Sequence, residues 1–304
     1  MSTTSPRSPS AHATATNSRS GMQPVPTGSV RTVDGLELAL YRWPAAEPVR
    51  ATVALLHGLA EHAGRYAALA ERLAAAGIEL VAIDLRGHGR SPGERTWVAS
   101  FDAYLDDAQA LLDAAARPGT PLLLMGHSMG GTIAACFAIE RLAAFADRTH
   151  PVSGLILSSP ALAPGKDVPR WMLAASRAVS RLWPRYKAMK IEAALLSRDP
   201  LAVEANRTDP LVHHGAVPAR TGAEILAAME RIERGRASLR LPVLAYHGTA
   251  DKLTEPAGSR AFATHVGSPD CTLTLYEGAY HETMNDLDRD SVIDALTQWI
   301  LARA

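Results

Sequence analysis

Residues 121–131 read Pro-Leu-Leu-Leu-Met-Gly-His-Ser-Met-Gly-Gly, an apolar run that ends in Gly-x-Ser-x-Gly. The apolar run predicts a buried β-strand, and the Ala-rich stretch from Thr132 to Phe145 predicts a helix directly after it. A serine between a strand and a helix in this motif typically occupies a nucleophile elbow. The flanking glycines are needed because side chains there would collide with the backbone of so tight a turn. The motif alone also fits an ordinary Gly/Ser loop, so Ser128 needs partners elsewhere in the chain.

The composition of the chain excludes several classes of protein. It has 304 residues, of which 47% are hydrophobic and 20% are charged, as in ordinary globular proteins. Lys+Arg and Asp+Glu both number 31, so there is no basic excess of the kind that nucleic-acid binding requires. The two cysteines, Cys136 and Cys271, cannot make a disulfide framework, and we expect both to be buried apolar residues.

The N-terminal region reads differently from the rest of the chain. Residues 1–28 are rich in Ser, Thr, Ala and Pro, which predicts a disordered tail without enough apolar surface to fold. Residues 2–29 lack the hydrophobic segment of a secretory signal, and no window approaches 18 uninterrupted apolar residues. We therefore expect a cytoplasmic protein without a transmembrane helix.

The remaining sequence alternates between strand and helix patterns. Two alternating runs around Asp34-Gly35, within residues 29–43, predict an antiparallel hairpin. Further strands are predicted at 51–56, 78–83, 154–158, 242–246 and 271–276, and further helices at 66–76, 101–116, 256–266 and 291–302. We expect the acidic residues of the helix at 101–116 to lie on its outer face. The alternation predicts an α/β fold with a mostly parallel central sheet and helices on both faces.

The alternation is interrupted at residues 161–236, where helical patterns occur with no clear strand. This predicts a helical cap inserted between two parts of an α/β core, residues 29–160 and 237–304. Within the insertion, residues 170–183 form a basic amphipathic pattern, with Arg170, Arg177 and Arg181 on one face. Such a helix either rests on a membrane surface and admits a lipid, or packs its apolar side on the core.

Two later strand ends supply candidate partners for Ser128. A serine hydroxyl needs a general base, usually histidine, and the histidine needs a carboxylate to fix its tautomer. Asp251 follows one predicted strand and His281 follows the next. The carboxyl ends of parallel strands meet at one edge of a sheet, so Ser128, Asp251 and His281 are predicted to converge there as a catalytic triad.

An oxyanion formed by attack on an acyl group requires backbone donors. One predicted donor is the N–H of Met129, the residue after the nucleophile. The other is the N–H of Leu59, in the loop that follows the strand at 51–56.

Several motifs together resemble one branch of a known superfamily. They are His57-Gly-Leu-Ala-Glu-His-Ala-Gly-Arg-Tyr66, Asp84-Leu-Arg-Gly-His-Gly-Arg-Ser91, Gly126-His-Ser-Met-Gly-Gly131, Tyr280-His-Glu282, Leu196-Ser-Arg-Asp-Pro200 and Thr208-Asp-Pro-Leu-Val212. They look like those of the monoacylglycerol lipase and lysophospholipase branch of the α/β-hydrolases, a serine aminopeptidase S33-like family. The resemblance runs from about residue 30 to the C-terminus. Leu59 is bulkier than the small residue that often follows His-Gly in this branch, and we expect it to narrow the pocket.

The resemblance implies a serine esterase that acts on monoacylglycerols through an acyl-enzyme on Ser128, without a cofactor or metal. Its alternatives are a lysophospholipase, a broad carboxylesterase, an amidase or peptidase, and a non-catalytic binding module. A dehalogenase or epoxide hydrolase would need aspartate in place of Ser128. The resemblance leaves the oligomeric state open.

Near the predicted oxyanion loop lie further polar residues. Glu61 and Arg65 either contact a glycerol head group or pair with each other at i, i+4 and hold the loop. We expect His57 to bond backbone groups of its tight turn. His213 and His214 are adjacent in sequence and would not share a face, which argues against a metal site.

Overall fold

The computed structural model describes residues 24–142, 151–166 and 168–304. The predicted tail before residue 24 and the predicted helix end at 143–145 lie outside the described residues. The described strands are β1 Gly28–Arg31, β2 Glu37–Trp43, β3 Ala51–Leu56, β4 Ile78–Ile83, β5 Leu122–His127, β6 Val152–Ser158, β7 Lys187–Met189, β8 Val217–Pro218, β9 Val243–Gly248 and β10 Cys271–Tyr276. The described helices are α1 Ala67–Ala75, α2 Asp102–Ala115, α3 Met129–Glu140, α4 Arg170–Leu182, α5 Pro200–Thr208, α6 Ala219–Gly235, α7 Pro256–His265 and α8 Arg289–Leu301.

Eight strands form one sheet in the order β1-β2-β4-β3-β5-β6-β9-β10. β1 and β2 are antiparallel and β2 is antiparallel to β4, whereas all other neighbours run parallel. Every residue of β3, β4 and β5 is buried, as expected for apolar strands that are covered on both faces. The predicted mostly parallel sheet is therefore confirmed.

Two apolar clusters cover the two faces of the sheet. One includes Tyr104 of α2 and Phe137 of α3. The other includes Leu69 of α1 and Trp299 of α8. Helices thus pack on both faces, which confirms the predicted layer order.

The prediction that the acidic residues of α2 face outward is wrong for Asp107. Its side chain is fully buried and pairs with Arg86, which the loop after β4 carries to within 2.7 Å of the Asp107 carboxylate. Arg86 also pairs with Asp34 at 2.7 Å. Burial raises the pKa of Asp107 to about 6 against the opposing effect of Arg86. The partner is remote in sequence, so the local pattern of α2 could not reveal it.

Residues 161–236 connect β6 to β9 and contain α4, α5 and α6. The absence of strands predicted there is also wrong, because β7 and β8 form a short antiparallel pair. Strands of three and two residues are too short to leave an alternating pattern. The α6 side chains Ile225, Ala228 and Ile232 belong to the same apolar cluster as α3. The division into core and cap stays a prediction.

The sheet topology places the candidate residues at one edge. β3, β5, β6, β9 and β10 run parallel, so the loops after them emerge on the same side. These loops carry Leu59, Ser128, Asp251 and His281, and sites in open parallel sheets are generally found at this edge.

Candidate active site

Ser128 occupies a strained turn between β5 and α3. Its backbone has φ 55° and ψ −119°, a conformation that residues other than glycine rarely adopt. Its N–H donates to Ser158 O at 3.0 Å, and its carbonyl accepts from the N–H groups of Thr132 and Ala161, each at 3.2 Å. α3 begins at Met129, three residues before the predicted start, so the helix continues directly from the turn.

Two glycines allow this turn because they let α3 lie against the strands. A Cβ on Gly126 would overlap the carbonyl oxygen of Gly130. A Cβ on Gly130 would overlap the carbonyl oxygen of Leu56 in β3. The Gly-x-Ser-x-Gly motif therefore reflects backbone packing that excludes any side chain at these two positions.

Asp251 and His281 form a buried pair. His281 Nδ1 lies 2.7 Å from Asp251 Oδ2. The other carboxylate oxygen accepts the N–H groups of Leu253 at 2.7 Å and Thr254 at 3.0 Å. Burial by itself raises the pKa of Asp251, but the charge of His281 and the hydrogen bonds from His247 and His281 outweigh it and hold that pKa far below its usual range. An ionised Asp251 keeps the proton of His281 on Nδ1 and leaves Nε2 free to accept another.

Ser128 and His281 line the same cavity. Among the described residues, no hydrogen bond joins the Ser128 hydroxyl to His281. In sites of this kind that bond often forms only when substrate is bound. The His127 ring also approaches His281, with 4.8 Å between the two ring centroids.

The loop after β3 lies directly against Ser128. A Cβ built on Gly58 would be 3.3 Å from Ser128 Cβ, and the next residue, Leu59, lines the cavity. Met129 is the first residue of α3, where a backbone N–H has no acceptor within the helix. One predicted oxyanion donor therefore lies in the loop that contacts Ser128, and the other lies at the first residue of α3.

The i, i+4 pair of Glu61 and Arg65 is present, and it extends to a third residue. Arg65 Nη1 lies 2.6 Å from Glu61 Oε2 and 2.7 Å from Glu282 Oε1. Glu61 Oε1 also accepts the Gly58 N–H at 2.6 Å and the Tyr66 hydroxyl at 2.8 Å. Burial raises the pKa of Glu61, but the Arg65 charge outweighs it and lowers that pKa to about 2.

The cluster Glu61–Arg65–Glu282 joins the loop after β3 to the loop that carries His281. The local sequence pattern predicts no role for Glu282, although this residue directly follows His281. That adjacency was the signal that could have suggested it. The buried ion pairs fix the distance between the two loops, since neither carboxylate can leave Arg65 without losing a charged partner.

Two further histidines, His57 and His213, make hydrogen bonds to the loop after β3. His57 Nε2 accepts the Leu85 N–H at 3.0 Å, so its Nδ1–H donates to Gly58 O at 2.7 Å. His57 is thus bonded to backbone groups, as predicted from its place in a tight turn. His213, which also lines the cavity, donates its backbone N–H to Ala60 O at 2.8 Å.

The cavity has a volume of about 660 Å³ and a mainly apolar lining. Its walls come from both the sheet edge and the insertion, including Leu173 and Val179 of α4 and Leu226 of α6. Ligand pockets for small molecules commonly have this size and character.

The sheet order and the serine at the carboxyl edge are those of an α/β-hydrolase. The chain belongs to the family described as serine aminopeptidase, S33, whose model matches residues 47–288. It is 35% identical over 272 residues to a monoacylglycerol lipase of Mycolicibacterium smegmatis, and the alignment covers 89% of this chain and 95% of that protein. It is 33% identical over 275 residues to the human monoglyceride lipase, with 89% and 88% covered. The crystal structure of the Paleococcus ferrophilus monoacylglycerol lipase superposes with a TM-score of 0.77 at 32% identity, covering 88% of this chain and all of that one.

Replacement of Arg65 by Met tests the role of the cluster. It leaves Glu61 and Glu282 buried without a cation, which we expect to lower the free energy of unfolding by about 3–5 kcal/mol. Without Arg65 the pKa values of both carboxyls rise above those of the unfolded chain. The variant is therefore less stable at pH 8 than at pH 5, because folding then requires proton uptake. Urea unfolding at the two pH values measures both effects.

The matched control is Arg72→Met, which removes an exposed arginine that pairs with Asp290 and Asp294. We expect it to leave stability unchanged at both pH values. Equal losses in the two variants, or a loss in Arg65→Met that does not depend on pH, would show that the cluster does not stabilise the loops.

Proposed function

We propose that this protein is a serine ester hydrolase that cleaves monoacylglycerols to a fatty acid and glycerol. The observation that carries the proposal is Ser128 on its strained turn, facing one apolar cavity together with the His281–Asp251 pair. The similarity to monoacylglycerol lipases over most of the chain supports the same substrate class. Peptide hydrolysis, the reaction named in the family description, is therefore less favoured than ester hydrolysis.

The proposed reaction proceeds through an acyl-enzyme. Ser128 Oγ attacks the ester carbonyl while His281 Nε2 takes its proton and Asp251 stabilises the resulting imidazolium. The N–H groups of Leu59 and Met129 hold the oxyanion. The intermediate collapses, and His281 returns the proton to the departing glycerol oxygen. Water, activated by His281, then releases the fatty acid from Ser128.

The charge of the cavity favours a neutral head group. Among the described residues that line it, the only cationic side chain is Arg65, whereas Glu61, Glu255 and Glu282 are acidic. Arg65 is already engaged by Glu61 and Glu282, so we propose that it holds the loop rather than binds substrate. A phosphate-bearing lysophospholipid would meet this negative lining, whereas glycerol hydroxyls can donate to carboxylate oxygens.

A substrate panel tests this assignment. We expect kcat/KM for monoolein to exceed that for the anionic oleoyl-lysophosphatidylglycerol at least about tenfold, because one unfavourable charge contact costs about 1.4 kcal/mol or more. p-Nitrophenyl esters should be cleaved and an aminoacyl anilide should not. Ser128→Ala should abolish every activity. Faster turnover of lysophosphatidylglycerol or of the anilide than of monoolein would contradict the proposed substrate, and no turnover at all by well-folded protein would favour a binding module.

The wall of the cavity includes exposed apolar side chains of the insertion. We call this the apolar cap surface; its large exposed side chains are Trp171, Met172, Leu182, Trp183, Tyr186 and Met189. Met172, Tyr186 and Met189 also line the cavity, so the surface is continuous with its wall. Exposed aromatic and aliphatic side chains beside a cavity of this kind are typical of contact with a membrane interface.

We propose that the apolar cap surface rests on a membrane and receives the acyl chain from it. Arg177, one of the three arginines predicted on a basic face, pairs with Glu230 of α6, and the side chain of Arg170 lies outside the described residues. The proposed membrane contact therefore depends more on apolar side chains that enter the membrane interface than on attraction between arginines and lipid head groups. None of the helices in the described part of the chain has the length and apolar character to cross a bilayer. The cytoplasmic location stays a prediction.

The double variant Trp171→Ser with Trp183→Ser tests the membrane contact. Neither side chain lines the cavity, so we expect less co-sedimentation with phosphatidylcholine vesicles and slower hydrolysis of vesicle-borne monoolein, with unchanged hydrolysis of p-nitrophenyl butyrate. Arg181→Glu is the control and should leave binding to these uncharged vesicles unchanged. Wild-type co-sedimentation by the double variant would contradict the proposal.

A further inference from the structure

His247 is a second histidine on the carboxylate that orients His281. It lies near the end of β9, is fully buried, and is not among the residues that line the cavity. Its Nε2 lies 3.0 Å from Asp251 Oδ2. His281 Nδ1 lies 2.7 Å from the same oxygen. Two imidazole rings thus converge on one carboxylate oxygen, only one of them within reach of the cavity.

The other nitrogen of His247 determines its tautomer. Nδ1 lies 2.8 Å from the hydroxyl oxygen of Ser259, which α7 carries and which is also fully buried. A serine hydroxyl can donate its proton to an unprotonated ring nitrogen. Nδ1 then accepts from Ser259, and the ring keeps its proton on Nε2, where it donates to Asp251. Both nitrogens of a neutral His247 are satisfied in this arrangement.

We propose that His247 is a positioning residue for the reaction, acting through Asp251. Its Nε2–H holds Asp251 Oδ2 against His281 Nδ1 and takes up part of the negative charge of the carboxylate. The inference rests on the proposed roles of Asp251 and His281. Outer partners that orient the groups in direct contact with a reacting centre commonly change activity about 10- to 100-fold when removed, as measured at metal sites.

The loss of this donor has a predictable effect on pH dependence. With one hydrogen bond fewer, the charge on Asp251 acts more strongly on His281 and favours its protonated form. Only neutral His281 can accept the serine proton, so kcat/KM falls as the pH is lowered. We call this fall the acid limb of the pH profile, and without the donor it occurs at higher pH. A change in packing alone would lower activity without moving this limb.

Ionisable groups face His281 from several elements of the fold. They are Asp251 and His247 on the side of β9, His127 from β5, and the cluster Glu61–Arg65–Glu282. Burial, followed by the charge of His281, lowers the pKa of His127 to about 4. The pKa of Glu61 lies at about 2, and those of Asp251 and Glu282 are also lowered. All four therefore keep one charge state between pH 5 and pH 9.

The experiment measures kcat and KM for p-nitrophenyl butyrate between pH 5 and pH 9. In His247→Phe we expect kcat to fall about 10- to 100-fold with little change in KM, and the acid limb to rise by about half a pH unit. His247→Gln retains an amide N–H for Asp251 and a carbonyl for Ser259, and should restore most of kcat and the wild-type limb. Tyr246→Phe, which alters a buried hydroxyl of the same strand that contacts Met284, should leave the limb unchanged.

Three results would overturn the inference. The first is a wild-type kcat and acid limb in His247→Phe. The second is an equal loss of kcat in His247→Phe and His247→Gln with no movement of the limb. If His247→Phe does not fold, His247→Met decides, because its thioether cannot donate to Asp251 and the limb should move in the same direction, and an unmoved limb contradicts the inference. Ser128→Ala separates the two levels: activity in that variant refutes the proposed function, whereas a wild-type His247→Phe beside an inactive Ser128→Ala refutes only the role of His247.

Discussion

The close packing of α3 on β3 and β5 determines the geometry of the whole site. At Gly126 and Gly130 the helix and strand backbones approach too closely for any side chain, and the chain between them must turn through Ser128 at φ 55°. Hydrogen bonds stabilise this strained conformation. The Ser128 N–H donates to β6, and the Ser128 carbonyl accepts from the N–H groups of Thr132 and Ala161. The serine side chain is thereby held at the sheet edge, with the first N–H of α3 beside it.

Buried charges bring the other loops to this serine. Glu61, Arg65 and Glu282 join the loop after β3 to the loop after β10, while Asp251 fixes the ring of His281. The groups proposed to hold the oxyanion and to move the proton are therefore positioned before substrate arrives. Preorganised donors of this kind are what makes electrostatic stabilisation of a transition state effective. The mainly apolar lining of the cavity is compatible with an acyl chain.

Local patterns in the sequence predicted much of the fold. Apolar runs such as 51–56 and the glycine spacing around Ser128 predicted buried strands and a tight turn, because these depend on residues that are adjacent in the chain. Asp107, Glu282 and His247 could not be interpreted in this way. Each depends on a partner from another element, namely Arg86, Arg65 and Asp251, and such pairs leave no periodic signal. The roles assigned to Ser128, Asp251 and His281 stay predictions until they are tested on the protein.

The central claim is that Ser128 is the nucleophile and that His281 activates it. Labelling with an alkyl fluorophosphonate, followed by mass spectrometry of the digested protein, tests it most directly. We predict a single modified peptide that contains Ser128, no modification in Ser128→Ala, and labelling slowed by orders of magnitude in His281→Ala, because the hydroxyl then lacks its base. A label on another residue, or labelling of His281→Ala at the wild-type rate, would contradict the account.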